Sequence, residues 1–269
     1  MNTITNTQPA YSGKDDPFHR PSSSVKLNDD NRYVGNIPRP LLLIGREATL
    51  KPMSLNACRL FDAMLAITWE TLETAQPSTY FCTKGSFLRR QIGQSNRRSN
   101  DRLDAAFDEL ATSSHRLPSA LGSPEFCETT LVKDWAKGGG IHSWRFPAEV
   151  VALCQHVPLW IKYPIGTAFS LQQPLAHRLH ELLSVFAGRQ WPIWTVPITE
   201  LRRLLGCTKP DMSDRTFLRE QLRPALIAVA RARGWPIHVD LLPDPRILPP
   251  HAIRFTIHKS QTATTAEAA

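Results

Sequence analysis

Two tandem winged helices, an α+β and mainly α architecture, are what this 269-residue chain predicts. Three observations lead there. Residues 172–260 pattern as helix, strand, helix, turn, helix and hairpin, the element order of a winged helix. Residues 41–157 show the same order with negligible residue identity. The cations also gather on the two helix–turn–helix stretches, in a chain of formal charge +8 and pI near 9.5.

In chain order, residues 1–40 are rich in Asn, Ser, Thr, Asp and Pro and poor in large apolar side chains. Such a stretch buries too little surface to offset its ordering entropy, so it predicts a disordered tail, and residues 261–269 predict another. Pro38 to Ile44 (PRPLLLI) reads either as an entry strand or as a short docking segment. Ser54 suits the N-cap of a helix from Leu55 to about Leu72, with Cys58, Phe61, Leu65 and Thr68 on one face. Tyr80 to Cys82 is strand-like. Thr83 suits the cap of a helix from Lys84 to Ile92, Gly93 marks a turn, and Arg97 to Thr112 reads as a further helix with Leu103, Phe107 and Leu110 inward. Glu125 to Val132 and Ile141 to Phe146 then predict a hairpin around Lys137-Gly138-Gly139-Gly140.

Val150 to Leu171 joins the halves, with the linker itself at 158–171. Trp160, Ile161, Tyr163, Ile165 and Phe169 make it too apolar for a free tether, so it is expected to pack on both domains and to hinge at Pro164-Ile165-Gly166. In the second domain, Leu175, Leu179, Leu182, Leu183 and Phe186 fall at helical spacing within Pro174 to Gly188. Trp194 to Val196 favours a strand. Thr199 is placed to cap a short helix, Glu200 to Leu205, closed by Gly206. Ser213 and Asp214 open a longer helix that runs to Arg233 and stops at Gly234. Ile237 to Leu242 and Ala252 to His258 alternate as strands around a proline-rich turn.

The charge pattern points to nucleic acid. From Arg202 to Arg233, eight cations face three acids. Arg215, Arg219 and Arg223 are four apart and share a face, while Phe217, Leu222, Leu226 and Val229 form the apolar side. Guanidiniums neutralise phosphates, and one can read guanine O6 and N7 bidentately. Ser213 and Thr216 sit beside them, and Arg254 and Lys259 lie on the hairpin that follows. In the first domain the candidate contacts are Arg89, Arg90, Asn96, Arg97, Arg98 and Arg102, with Lys137 at the hairpin tip. There the expected role is phosphate contact.

Other chemistries lack their residues. The five cysteines (Cys58, Cys82, Cys127, Cys154, Cys207) are scattered and hold no C-x-x-C pair, which argues against a disulfide scaffold or zinc ribbon and for a reducing cytoplasm. No apolar run is long enough to span a bilayer and no basic-then-apolar leader opens the chain, so the sequence predicts a soluble cytoplasmic protein with no membrane partner. No G-x-x-x-x-G-K-[ST] loop occurs. His177 and His180 are three apart without a Glu or Cys at ligand spacing, and read as a helix-surface pair and not a metal site. The four tyrosines are scattered, and no His-apolar-His pair accompanies them as a nickase requires. The sequence therefore predicts no catalytic site, no metal and no cofactor.

Phe217-Leu218-Arg219-Glu220-Gln221-Leu222-Arg223-Pro224-Ala225-Leu226 resembles the "F…L-x-P-A" recognition-helix signature of plasmid replication initiators with two winged helices. Arg178 to Leu183 resembles the helix that opens their second domain. Val150 to Trp160, Lys162-Tyr163 and Leu218 to Gln221 are similar to their broad-host-range TrfA-type branch. The resemblance covers about Leu41 to Lys259. His180, where the family often has tyrosine, departs from it, as does a longer loop at Cys207 to Met212. It implies a protein that binds repeated double-stranded origin sites (iterons) and promotes origin opening, with a first domain for dimerisation and DNA backbone contact. It also implies a homodimer in equilibrium with a DNA-binding monomer, copy control through the dimer, and recruitment of the host initiator and replicative helicase. A winged-helix transcriptional regulator shares the same sequence features.

Overall fold

The computed structural model describes residues 26–29, 33–34, 36–40, 44, 46–48, 52–94, 96, 99–118, 126–156, 160–207, 211–244 and 247–258. Two short strands, β1 (Lys26–Leu27) and β2 (Tyr33–Val34), pair with each other ahead of β3 (Asn36–Pro40) and β4 (Glu47–Ala48). The first half is built on α1 (Leu55–Leu72). Ser54 takes an extended conformation and its hydroxyl accepts the Ala57 N–H at 3.2 Å, which starts the helix. Leu60, Phe61, Met64 and Leu65 are all buried, so α1 is a central helix.

Around α1 lie β5 (Phe81–Lys84), α2 (Gly85–Gln91), α3 (Asp101–Thr112), β6 (His115–Pro118), β7 (Phe126–Thr129), β8 (Asp134–Gly138) and β9 (Ile141–Arg145). One sheet runs β5-β9-β8 and a second runs β4-β6-β7. Several expectations are corrected here. The hairpin closing on the glycine run is β8–β9, whereas Phe126–Thr129 pairs with β6. Thr83 lies within β5 and does not cap, since the N-cap of α2 is Lys84 with no side-chain bond. The third helix begins at Asp101 and not at Arg97.

The connection is α4 (Ala148–His156), β10 (Trp160–Pro164) and α5 (Ile165–Ser170). Its expected packing is present: Tyr163, Ile165 and Ala168 are buried, and Trp160 sets its ring edge against Trp69 at 5.0 Å. The second half then runs α6 (Pro174–Ala187), β11 (Ile193–Pro197), α7 (Ile198–Leu204), a helix over 214–233, β12 (Ile237–Asp244) and β13 (Ile247–Ile257). Its sheet order is β11-β13-β12. Both halves thus place a strand between their first two helices, and that strand pairs with the last strand of the closing hairpin. Thr199 lies inside α7, which starts at Ile198, ahead of the expected Glu200, with Pro197 as its N-cap. Gly206 (φ 72°) and Gly234 (φ 62°) are left-handed, as helix-ending glycines.

The expected disorder of residues 1–40 is overturned at its end. β3 pairs antiparallel with β10, Ile37 opposite Tyr163 and Arg39 opposite Ile161, and both Ile37 and Arg39 are fully buried. The reason is electrostatic. Arg39 donates to Asp62 on α1 and to Glu181 on α6, with its guanidinium 4.6 Å from the centre of the Tyr163 ring. Glu181 also accepts from Arg46 at 2.7 Å and from Arg178 at 2.5 Å. His177 Nε2 stands 3.0 Å from Asp62. His177 and His180 are buried, which corrects their reading as a surface pair. Arg59 completes the junction by donating to the carbonyls of Phe169 and Leu171 at 2.7 and 2.8 Å.

Burial by itself would raise the Glu181 carboxyl, but Arg46, Arg178 and Arg39 outweigh it and hold it well below the usual carboxylate range. Asp62 is likewise lowered, with Arg39 and His177 overcoming burial. Because both folded values are depressed, their stabilisation is full above the unfolded pKa of about 4 and is lost as pH falls through the folded values. Glu181→Gln is expected to cost about 3–5 kcal/mol, the range for breaking a buried ion pair. Its urea unfolding midpoint should also fall less steeply below about pH 4 than that of the wild type.

Candidate nucleic-acid interface

The helix over 214–233 is three segments in continuous sequence. It starts at α8 (Asp214–Thr216), where the Ser213 hydroxyl accepts the Thr216 N–H at 3.2 Å. It passes through a π-helical turn, Phe217–Leu222, into α9 (Arg223–Arg233). Pro224 explains the change of pitch. It has no N–H for the Glu220 carbonyl, and its ring crowds that carbonyl. The backbone answers by widening, and the Arg223 N–H bonds to the Leu218 carbonyl five residues back.

Phe217, Leu222, Ala225 and Val229 are buried on one side of this helix. Arg215, Arg219, Arg223 and Arg231 are exposed on the other, every fourth residue but for Ile227, which is exposed as well. The wide turn also exposes Glu220 and Gln221. Arg219 bonds Glu220 at 2.6 Å, but both are open to solvent, so the pair is weak and easily exchanged for a phosphate or base.

Among the described residues, three other cations of the basic stretch, Arg202, Arg203 and Arg233, are engaged within the protein. Arg202 bonds Asp214 at 2.9 Å and fixes α7 against α8. Arg203 bonds Glu47 at 2.6 Å and also Glu200. The Arg233 guanidinium lies 4.1 Å from the centre of the Trp235 ring. Thr216 is half-buried, and its hydroxyl lies 2.9 Å from that of Ser213. Arg254 is exposed on β13, in register with Thr195 and Asp240. Arg231 and Ile227 extend the predicted row; continuing the spacing of four from Arg215 reaches both.

The first half is different. Arg89 donates to Asn100 at 2.8 Å and braces the turn, Arg90 is half-buried, and Asn96 and Arg102 are exposed. Arg97, Arg98 and Lys259 lie outside the described residues. Along α3, Arg102 is accompanied by Asp101, Asp104, Asp108 and Glu109, so this helix is acidic where its counterpart is basic. The β8–β9 hairpin closes over it. Lys137 bonds Asp104 at 2.6 Å, His142 Nε2 meets the same carboxylate at 3.0 Å, and Trp135 donates to Asp108 at 3.0 Å. Burial pushes the Asp104 carboxyl up, and the bonds from Lys137 and His142 pull it below its ordinary value. A Cβ on Gly85 would stand 2.6 Å from His142 Nδ1, so only glycine fits at the start of α2. Lys137, expected at phosphate, bonds α3 through an exposed side chain, a surface pair as open to exchange as that of Arg219.

Among the described residues no group of three His, Cys, Asp or Glu side chains is placed to hold a metal, and no helix is long and apolar enough to cross a membrane. By sequence, no protein-family model and no curated protein matches the chain. Among solved structures it is similar to the Pi initiator protein, solved in complex with iteron DNA, at 12% identity and a TM-score of 0.52, over 79% of this chain and 95% of that one. It is also similar to domains 2 and 3 of RctB, at 10% identity and a TM-score of 0.45, over 79% and 85% of the two chains. With the Pi initiator it shares a fold.

The π turn has a direct test. Pro224→Ala returns an N–H to the Glu220 carbonyl. The variant should gain helix stability, up to the ~3 kcal/mol that an interior proline costs, with a higher urea midpoint and a Leu218–Arg223 backbone that follows regular α-helical spacing by NMR.

Proposed function

We propose that this protein binds double-stranded DNA with base preference and initiates replication at repeated origin sites, each half acting as a winged helix. The observation that carries the reading is the exposed row Arg215, Arg219, Arg223 and Arg231 on a helix that follows a helix–turn and precedes a β-hairpin. A helix fits the major groove, and its first turns meet base edges. The fold shared with an initiator solved on iteron DNA supports the same reading.

In this reading the second half reads bases, through Arg215 and Arg219 with Ser213 and Thr216 nearby, while Arg223, Arg254 and Lys259 hold phosphates. The first half holds the backbone, through Arg90, Asn96, Arg97, Arg98 and Arg102, and supplies the dimer contact. Two heads on one rigid junction impose strain on the duplex, which A·T-rich flexible steps release most readily. Monomer–dimer exchange and recruitment of the host initiator and helicase belong to the proposal.

Affinity tests the division of roles. With ~6–10 phosphate contacts, binding should fall on the order of 10³–10⁵ between 50 and 200 mM salt. Arg219→Ala should cost about 1–3 kcal/mol on the preferred site and relax base preference there. Arg102→Ala should weaken preferred and scrambled duplex alike and lower the salt slope by about one. A flat salt titration removes DNA as the partner.

Catalysis is tested separately. A supercoiled plasmid carrying the site should stay covalently intact on incubation with the protein, with or without Mg²⁺. A site-specific nick or a protein-linked 5′ end contradicts a non-enzymatic initiator.

A further inference from the structure

We propose that Glu220 is a specificity-determining residue, which accepts a hydrogen bond from a cytosine N4 amino group and lowers affinity for duplex that offers none. The proposal rests on the reading of the 214–233 helix as the one that enters the major groove. From Arg215 to Arg233, Glu220 is the sole acidic residue, among five arginines. A negative charge on a surface that meets a polyanion opposes binding.

Folding does not explain its presence. The Glu220 side chain is 50% exposed. An acid stabilises a helix in its first turn, where the macrodipole is positive, and Asp214 takes that place here. Among the described residues, the ion-pair partner of Glu220 is Arg219 at 2.6 Å, itself 65% exposed. A pair so open to solvent contributes little to stability. Glu220 stands on the π turn between Arg219 and Arg223, two members of the exposed row.

The chemistry of the base edges selects the partner. A carboxylate only accepts hydrogen bonds. In the major groove guanine shows two acceptors, and thymine shows an acceptor and a methyl group. Adenine sets its N6 donor beside the N7 acceptor, whereas cytosine shows its N4 donor with no acceptor next to it. Cytosine is therefore the base that meets a carboxylate without opposition. Arg219 carries the complementary chemistry, donors suited to guanine O6 and N7. On the preferred site the two side chains separate, Arg219 to a guanine and Glu220 to a cytosine. On other sequences Glu220 faces acceptors and phosphates, and the repulsion weakens binding.

Selection of preferred sites from a random-sequence duplex library, with the full chain, tests this. Glu220→Ala should relax one cytosine of the selected site, by about 5- to 150-fold in affinity ratio. The same variant should bind scrambled duplex more tightly, with a salt slope steeper by about one. Glu220→Gln should move the preference at that position from cytosine to adenine, because an amide pairs with N6 and N7 together. Both variants should keep the urea midpoint of the wild type, as an exposed side chain allows. If the wild type selects a sequence and both variants select the same one, with scrambled affinity unchanged, the inference is overturned and the DNA reading stands. If the wild type selects no sequence, the DNA reading falls and this inference falls with it.

Discussion

One buried carboxylate, Glu181, holds the architecture together. It sits on α6 of the second half and accepts from Arg39 and Arg46, which lie ahead of the first half, and from Arg178 on its own helix. Arg39 carries the connection to Asp62 on α1. Removing the Glu181 carboxylate takes the shared acceptor from three buried guanidiniums, which costs more than most single core changes. The β3–β10 pairing, the burial of Tyr163 and the seating of α6 on α1 all require this cluster to close. A well-packed apolar cluster could stabilise the junction as much or more, because ion pairs lose their hydration on burial. What the charges add is direction. Guanidinium–carboxylate bonds accept one geometry, so the halves meet in one orientation.

That orientation matters for a protein whose proposed partner is a helical polymer. Reading heads on a stiff duplex must be spaced and rotated to match it, and a loosely packed junction would spend binding energy on ordering itself. The two heads are unequal. The second presents a row of exposed arginines, and the first has an acidic third helix to which its hairpin bonds through Lys137 and the buried His142. In the proposed complex, phosphate repulsion disfavours seating the acidic face of such a helix in a groove, so the contacts of the first half fall to cations at the start of that helix, Arg102 among them.

The helices were legible because period and caps are local signals. Ser54 and Ser213 cap as read, and the apolar spacing of α1, α6 and the 214–233 helix matches their buried faces. Strand partners were less legible. Phe126–Thr129 has the β-favouring look of a hairpin arm, while the true arm, Asp134–Gly138, carries Asp, Lys and Gly; only long-range register separates them. Arg39 fell at the end of the expected disordered tail and the histidines of α6 read as a surface pair, because a buried charge shows itself only with its partners, which are 23 and 142 residues away for Arg39. A proline inside a helix requires some disturbance there, but the form it takes at Pro224, a π turn with Glu220 and Gln221 exposed, depends on backbone bonding that residue type does not specify.

The strand β3 has a consequence for how such a chain can evolve. The halves share an element order and look like exchangeable modules, yet the ion cluster is assembled from residues near 39, 46, 62 and 178–181. A recombination event that swapped the second half alone would bring in a new α6 without the arginines and the aspartate that match its carboxylate. The lead segment, the first helix and the sixth helix must therefore be inherited together. Under the proposed function, a new base preference is open to substitution along the exposed arginine row and closed to shuffling of whole halves.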